Sequence, residues 1–180
     1  MKIINKAIEI LKNGGVILYP TDTVWGIGCD ATNEKAVEKI YQIKKRDESK
    51  ALITLVGSCN QLLDYTKIKS KEAKNSSPTT IIYPNVSGLA KNLLANDKSA
   101  AIRIVQNELC KKLILKFNKA IVSTSANISG YDFPKRFSEI NTKIIEQVDY
   151  IIDSNNDSLL LEPSKIFKVN LKGKVTETIR

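Results

Sequence analysis

The stretch that decides the fold reads Val16-Ile17-Leu18-Tyr19-Pro20-Thr21-Asp22-Thr23-Val24-Trp25-Gly26-Ile27-Gly28. Residues 16–19 are apolar and rich in strand-forming side chains, and the proline after them predicts the end of a short buried strand. Residues 21–31 are rich in hydroxyls and glycine and predict a loop. Open α/β sheets usually bind ligands where a strand ends. We therefore expect a ligand-binding loop directly after the first strand.

The rest of the chain alternates short apolar runs with segments of helical periodicity. Helices are predicted at 4–11, from Thr32 or Asn33 to 41, from Ser58 to 63, at 108–117 and at 138–148. Strands are predicted at 51–56, 79–83, 100–105, 120–123 and 150–153, and as a terminal hairpin of 166–169 with 175–179. This alternation indicates an α/β layer structure with a largely parallel or mixed sheet. We expect one domain over residues 1–180, with a twisted mixed sheet flanked by helices.

The composition limits the chemistry that the protein can perform. The chain has 180 residues, 28 Lys and Arg against 19 Asp and Glu, a formal charge of +9, and no histidine. The missing histidine excludes a Ser-His-Asp triad, a Cys-His pair and a histidine-bearing zinc site. Of the basic residues 24 are lysines, and Ile and Asn are also abundant, as codon drift in an AT-rich genome produces. The charge indicates either that drift or a preference for phosphates, nucleotides or RNA.

The three cysteines, Cys29, Cys59 and Cys110, are odd in number and widely spaced. This pattern argues against a disulfide framework, so buried thiols in a reducing compartment are expected. No signal peptide or membrane-spanning run is visible, and we expect a cytoplasmic protein without membrane contact.

Two polar segments could contact a ligand. Residues 44–50 carry four cations at a predicted helix-to-strand junction, which indicates either a polyphosphate clamp or a solvated helix end. Residues 123–130 follow a predicted strand, and five of their eight side chains can form hydrogen bonds. That density favours a binding loop or a network of turn and cap bonds. Arg103 lies inside an apolar run, where a buried charge would need an anionic partner, unless it lies at an edge or faces solvent.

The order of these segments resembles the YrdC family of threonylcarbamoyl-AMP synthases. The family's opening loop is matched by residues 20–28, and its Lys-x-Arg motif by Lys44 and Arg46. Its Ser-x-Asn motif is matched by Ser125 and Asn127. Weaker matches are Pro78 with Thr80, Arg103, and Pro163 with Ser164. The match spans essentially the whole chain in order.

The resemblance implies a YrdC-like fold with an open basic cavity and a nucleotidyltransferase activity. L-threonine, bicarbonate and ATP, the last together with Mg2+, would give threonylcarbamoyl-adenylate and pyrophosphate. The product would serve the N6-threonylcarbamoyl modification of adenosine 37 in tRNA, after transfer to a separate tRNA threonylcarbamoyl transferase complex. Contact with tRNA is possible on this basis.

The resemblance also assigns roles to single residues. Lys44 and Arg46 would be catalytic, and Thr23 and Arg103 would bind L-threonine. The implied ATP-binding residues are Lys44, Arg46, Lys50, Thr80, Ser125, Asn127 and Ser164. No metal ligand is assigned, although Asp22 or Asp30 could hold a metal through water.

The sequence departs from the family pattern at three positions. Ser77 replaces the turn glycine of Gly-Pro-x-Thr, Asp47 replaces a proline after Lys-x-Arg, and Lys165 replaces a threonine after Pro-Ser. These departures leave room for a paralogue of the same fold that binds double-stranded RNA, tRNA or a nucleotide without this activity. A carbamoyl-transfer paralogue acting on a protein is a third possibility, although its relatives carry additional modules.

Overall fold

The computed structural model describes residues 2–48, 50–152 and 163–180. Its helices are α1 (Lys2–Lys12), α2 (Glu34–Lys44), α3 (Cys59–Leu62), α4 (Glu108–Phe117) and α5 (Thr142–Ile145). Its strands are β1 (Ile17–Pro20), β2 (Trp25–Gly28), β3 (Ile53–Val56), β4 (Thr79–Tyr83), β5 (Ala100–Ile104), β6 (Ile121–Ser125), β7 (Tyr150–Ile151), β8 (Lys165–Val169) and β9 (Val175–Thr178).

The nine strands of the described residues form one sheet in the order β7-β1-β2-β6-β3-β5-β4-β8-β9. Strands β1 and β7, β3 and β5, and β4 and β8 pair in parallel, and the other neighbours are antiparallel. The expected single-domain α/β fold with a mixed sheet flanked by helices is therefore confirmed. No helix in the described part of the chain is long and apolar enough to cross a membrane.

The apolar core lies on both faces of the sheet, as the alternation of side chains along a strand requires. Ile17 and Tyr19 face the layer that contains α1 and α4, where Leu11 and Leu113 are fully buried. Leu18 faces the opposite layer, which includes α2. The two layers thus shield the middle of the sheet from water.

The predicted loop over residues 21–31 is wrong in its second half, because β2 lies there. Strand β2 is fully buried and pairs antiparallel with β1 and β6. Glycine is unfavourable in strands, but here it permits a close approach: a Cβ atom at Gly28 would lie 2.1 Å from the carbonyl oxygen of Val122. Trp25 is a core residue packed edge-on against Phe137, with ring centroids 5.3 Å apart.

Other boundaries differ from the prediction for local reasons. The predicted helix over 138–148 is a 3-10 turn at Phe137–Glu139 and the short α5, because the Asn141 side chain accepts from the Lys143 amide and starts a new helix. Helix α2 continues to Lys44, so that lysine is not part of the connector. Cys29 and Cys110 are buried and free as expected, but Cys59 is exposed. Asp153 and Glu162 lie outside the described residues.

Several predicted elements agree closely with the structure. Helix α4 and strand β4 have the predicted bounds. Asn33 and Ser58 cap α2 and α3 through their side chains, and β8 and β9 form the predicted hairpin. These elements were predictable because caps and periodicity are local properties of the sequence.

The close approach of β2 and β6 predicts the effect of a single methyl group. We expect Gly28→Ala to lower the free energy of unfolding by about 3 kcal/mol or more, since its Cβ would overlap a backbone carbonyl that cannot rotate away. Gly26→Ala is the matched control, because its Cβ would lie 3.2 Å from a threonine methyl; we expect a loss of about 1 kcal/mol. Urea denaturation measures both, and equal losses would contradict the explanation.

Candidate active site

A cavity of about 300 Å³ opens beside the sheet, and several predicted site residues line it. Its floor includes Ile53, Ala101 and Ser123. Because side chains alternate between the two faces of a sheet, these three lie on the same face as α1 and α4. Three of the four arginines of the chain reach this cavity, and none of the described residues that line it is acidic. The arginines are Arg46, Arg103 and Arg180, and the hydroxyl residues are Thr23, Ser123, Thr124, Ser125 and Ser164.

Arg103 has the anionic partner that its burial requires. Its side chain is 3% exposed, and Nη2 lies 3.0 Å from Oδ1 of Asp22 and donates to Oγ1 of Thr23 at 3.3 Å. The ion pair is close but not aligned as a hydrogen bond, so Asp22 Oδ1 has no hydrogen-bond partner among the described residues; the buried Nε of Arg103 has none there either. The sequence-based expectation of a partner is confirmed. Arg103 also lines the cavity, so its guanidinium lies beside any ligand bound there.

Arg46 is held against the cavity by the backbone that follows it. Lys45 ends α2 in the left-handed conformation with φ of 49°, and the Arg46 amide then donates to the carbonyl of Tyr41 at 2.9 Å. The guanidinium donates to the carbonyls of Lys50 at 3.1 Å and Ala51 at 3.0 Å. The Lys50 side chain is exposed and does not line the cavity. The predicted clamp thus brings Arg46, but not Lys50, to the cavity.

Lys44 lies behind the cavity wall rather than in it. Lys44 is only 1% exposed. Its Nζ donates hydrogen bonds to the carbonyl oxygens of Ser125 at 2.5 Å and Asn127 at 2.6 Å, and to Asn127 Oδ1 at 3.1 Å. The Ser125 hydroxyl donates to the same Oδ1. Burial, together with the nearby charge of Arg46, lowers the pKa of Lys44 to about 7. Ser125 lines the cavity, whereas Lys44 and Asn127 support it from behind.

The far wall of the cavity is built by β4, β8 and β9. Ser164 lines the cavity, and its hydroxyl lies 2.8 Å from that of Thr80, which is buried behind it. Arg180 donates from Nε to the Ser164 carbonyl at 3.0 Å. Partial burial and the charge of Arg103 lower the pKa of Arg180. Sequence reasoning missed Arg180, and the scarcity of arginine in this chain was the signal that could have found it.

The described residues do not form a metal site. Asp22 faces Arg103, and Asp30 accepts from Lys119 at 2.7 Å and from both the amide and the hydroxyl of Thr32. Residues 2–48, 50–152 and 163–180 contain no group of three or more His, Cys, Asp or Glu side chains that could hold a metal ion. We therefore assign no step to a protein-bound metal.

Known proteins resemble this chain over most of its length. Residues 9–180 match the Sua5/YciO/YrdC family, whose description is "Telomere recombination". A threonylcarbamoyl-AMP synthase of Pseudoalteromonas translucida is 37% identical over 155 residues, which cover 82% of this chain and 83% of the relative. An enzyme of the same name from Psychromonas ingrahamii is 33% identical over 174 residues and 91% of both chains.

Solved structures share the fold as well. P. abyssi Sua5 in complex with L-threonine matches with a TM-score of 0.82 and 27% identity, over 92% of this chain. The chain spans 50% of the length of that Sua5. E. coli YciO matches with a TM-score of 0.81 and 26% identity, over 99% of this chain and 90% of YciO.

The lowered pKa of Lys44 predicts a pH dependence of stability. Between about pH 7 and the usual lysine pKa of 10.5, the unfolded chain binds more protons at this residue than the folded protein, so folding becomes more favourable as pH rises. We expect the free energy of unfolding of the native protein, measured relative to Lys44→Met, to increase between about pH 6 and about pH 9. Urea denaturation of both proteins at each pH measures it, and a constant or falling difference would contradict the shift.

Proposed function

The chain belongs to the Sua5/YciO/YrdC family, and from this membership we propose that it is a threonylcarbamoyl-AMP synthase. The reaction joins L-threonine, bicarbonate and ATP to give threonylcarbamoyl-adenylate and pyrophosphate. The observation that carries the proposal is the cavity, in which three arginines and five hydroxyl residues face the same space without an acidic residue among the described lining. Such a lining suits a substrate that carries several negative charges.

The threonine end of the cavity is assigned to Thr23 and Arg103. A relative of the same fold was solved with L-threonine bound, which supports threonine as the substrate. A carboxylate suits this position, because Arg103 lines the cavity and is only partly neutralised by Asp22. The Thr23 hydroxyl lies beside the same guanidinium and would fix the orientation of the amino acid.

The nucleotide end is assigned to the remaining cations and hydroxyls. Arg46 and Arg180 would neutralise the phosphates, since both line the cavity. Ser125 and Ser164 would contact the nucleotide directly, and Thr80 and Asn127 would hold them in place. Lys50 is exposed next to Ala51, which lines the cavity, and would reach ATP only through its flexible side chain. Any Mg2+ would arrive with the phosphates of ATP.

The reaction suits a site without histidine. The threonine amine attacks carbon dioxide and releases a proton to water, or it attacks bicarbonate with loss of water; either step forms a carbamate. A carbamate oxygen then attacks the α-phosphorus, and the bond to the bridging oxygen breaks to release pyrophosphate. The nucleophile of this second stage is already anionic, so the step depends on alignment and charge neutralisation, which arginines supply.

The product is a reactive mixed anhydride, so a downstream enzyme would have to consume it promptly. We propose transfer to a tRNA threonylcarbamoyl transferase complex, for the modification of adenosine 37 in tRNA. Direct contact with tRNA and a cytoplasmic location stay predictions. The names of the curated relatives favour the synthase over a paralogue that only binds RNA or a nucleotide.

The proposed function predicts a strict substrate requirement. Purified protein should release pyrophosphate from ATP only when L-threonine and bicarbonate are both present, because the carbamate is the nucleophile. A coupled pyrophosphate assay with each substrate omitted in turn measures this requirement. Release without threonine, or no release with all three substrates, would show that the proposal is wrong.

The arginine lining predicts a difference between two single variants. Arg46→Met should lower kcat/KM for ATP by about 100-fold, as expected for the loss of a group that stabilises developing charge. Arg136→Met is the matched control, because Arg136 is exposed and does not line the cavity; its kcat/KM should stay within about twofold of the native value. Equal effects of the two changes would remove Arg46 from the site.

A further inference from the structure

The Lys44 ammonium meets oxygen atoms of one loop rather than the open cavity. We propose that Lys44 is a positioning residue, which fixes the loop Ser125–Ser129 so that Ser125 faces the nucleotide, and that it makes no contact with ATP. The inference rests on the proposed function, since it names the route by which this lysine serves nucleotide binding.

The hydrogen-bond capacity of Lys44 is fully used inside the protein. An ammonium group has three N–H donors and no acceptor. Three oxygens lie within 3.1 Å of Nζ: the carbonyls of Ser125 and Asn127, and Oδ1 of Asn127. Because the residue is 1% exposed and does not line the cavity, no donor is left for a phosphate.

The backbone of Lys44 holds the other end of the same loop. The Ser129 amide donates to the Lys44 carbonyl at 2.9 Å. The Asn127 side-chain amide donates to the carbonyl of Tyr131, and the Ala126 amide donates to the carbonyl of Trp25 at 2.8 Å. The loop is thus tied at its start and its end to the last residue of α2, and in its middle to β2.

This arrangement links two walls of the cavity. Arg46 stands two residues after Lys44, and Ser125 is bound by Lys44 Nζ, so one residue sets the separation of the arginine and the hydroxyl. A neutral, apolar residue of similar length would take one donor from each of these three oxygens. The Ser125 carbonyl would keep the Asn127 amide and Asn127 Oδ1 would keep the Ser125 hydroxyl, but the Asn127 carbonyl would lose the Lys44 donor, and the loop would turn it toward water. Ser125 would then lose its orientation although its own side chain is unchanged.

The test compares nucleotides that differ only in phosphate number. Isothermal titration of Lys44→Met with AMP, ADP and ATP should show affinities about 10-fold lower than those of the native protein, by the same factor for all three. A direct contact with the β- or γ-phosphate requires instead a loss that grows from AMP to ATP, and that result would overturn the proposal. Lys39→Met is the matched control: Lys39 is on the same helix and donates to the Gly14 carbonyl at 2.8 Å, away from the cavity. Its affinities should be unchanged.

A double-mutant cycle tests the route through Ser125. If Lys44 acts by orienting the Ser125 hydroxyl, Lys44→Met should cost little further ATP affinity once Ser125→Ala is present. Additive losses would mean that the two residues act separately and would contradict the positioning role. Melting temperatures of all variants, measured by circular dichroism, show that binding is compared between folded proteins.

Amide hydrogen exchange tests the loop itself, without any ligand. The Ser129 amide should exchange faster in Lys44→Met than in the native protein and in Lys39→Met; unchanged protection would overturn the proposal. If the native protein binds none of the three nucleotides, the proposed function fails while the exchange result still decides the role of Lys44. Should Lys44→Met not fold, Lys44→Gln removes the charge but keeps two N–H donors, so its affinity loss should be smaller and again equal for the three nucleotides; a loss that grows from AMP to ATP would overturn the proposal.

Discussion

A buried positive charge has to be surrounded by oxygen atoms, and the two most buried cations of this protein arrange its candidate site in meeting that demand. Arg103 forms an ion pair with Asp22 and a hydrogen bond with Thr23, both in the segment between β1 and β2. Lys44 donates hydrogen bonds to the carbonyl oxygens of Ser125 and Asn127, at the end of β6 and in the loop after it. The two sets of contacts position segments that are distant in sequence around one cavity. Hydrophobic burial builds the layers, but these polar contacts decide which side chains face the ligand.

The distribution of cations separates composition from function. Lysines make up most of the basic residues, and many of them are exposed on the surface, where they contribute little to a specific site. Three of the four arginines meet at the cavity. Arginine keeps its charge when partly buried and binds carboxylates and phosphates through a planar set of donors, so its placement is more informative than the net charge.

The sequence was sufficient for elements whose signal is local. Helix α4 and strand β4 follow from periodicity and composition, and the caps of α2 and α3 follow from single side chains. Strand β2 could not be predicted in this way, because glycine is unfavourable for a strand unless a neighbouring backbone requires its small size, as the Val122 carbonyl does at Gly28. Five site residues predicted from the motifs line the cavity: Thr23, Arg46, Arg103, Ser125 and Ser164. The motifs could not reveal that Lys44 points away from the cavity. The burial of a residue depends on the tertiary contacts around it, and these cannot be read from the local sequence.

The left-handed residue at the end of α2 has a consequence for how the Lys-x-Arg motif works. Lys45 reverses the direction of the chain, so its two neighbours serve opposite sides of one wall: Lys44 the protein interior and Arg46 the cavity. The middle position of the motif is therefore a pivot whose backbone angle matters and whose side chain, which is exposed, does not. In this three-residue motif, the backbone turns at Lys45, the side chain before it (Lys44) binds inside the protein, and the side chain after it (Arg46) faces the cavity.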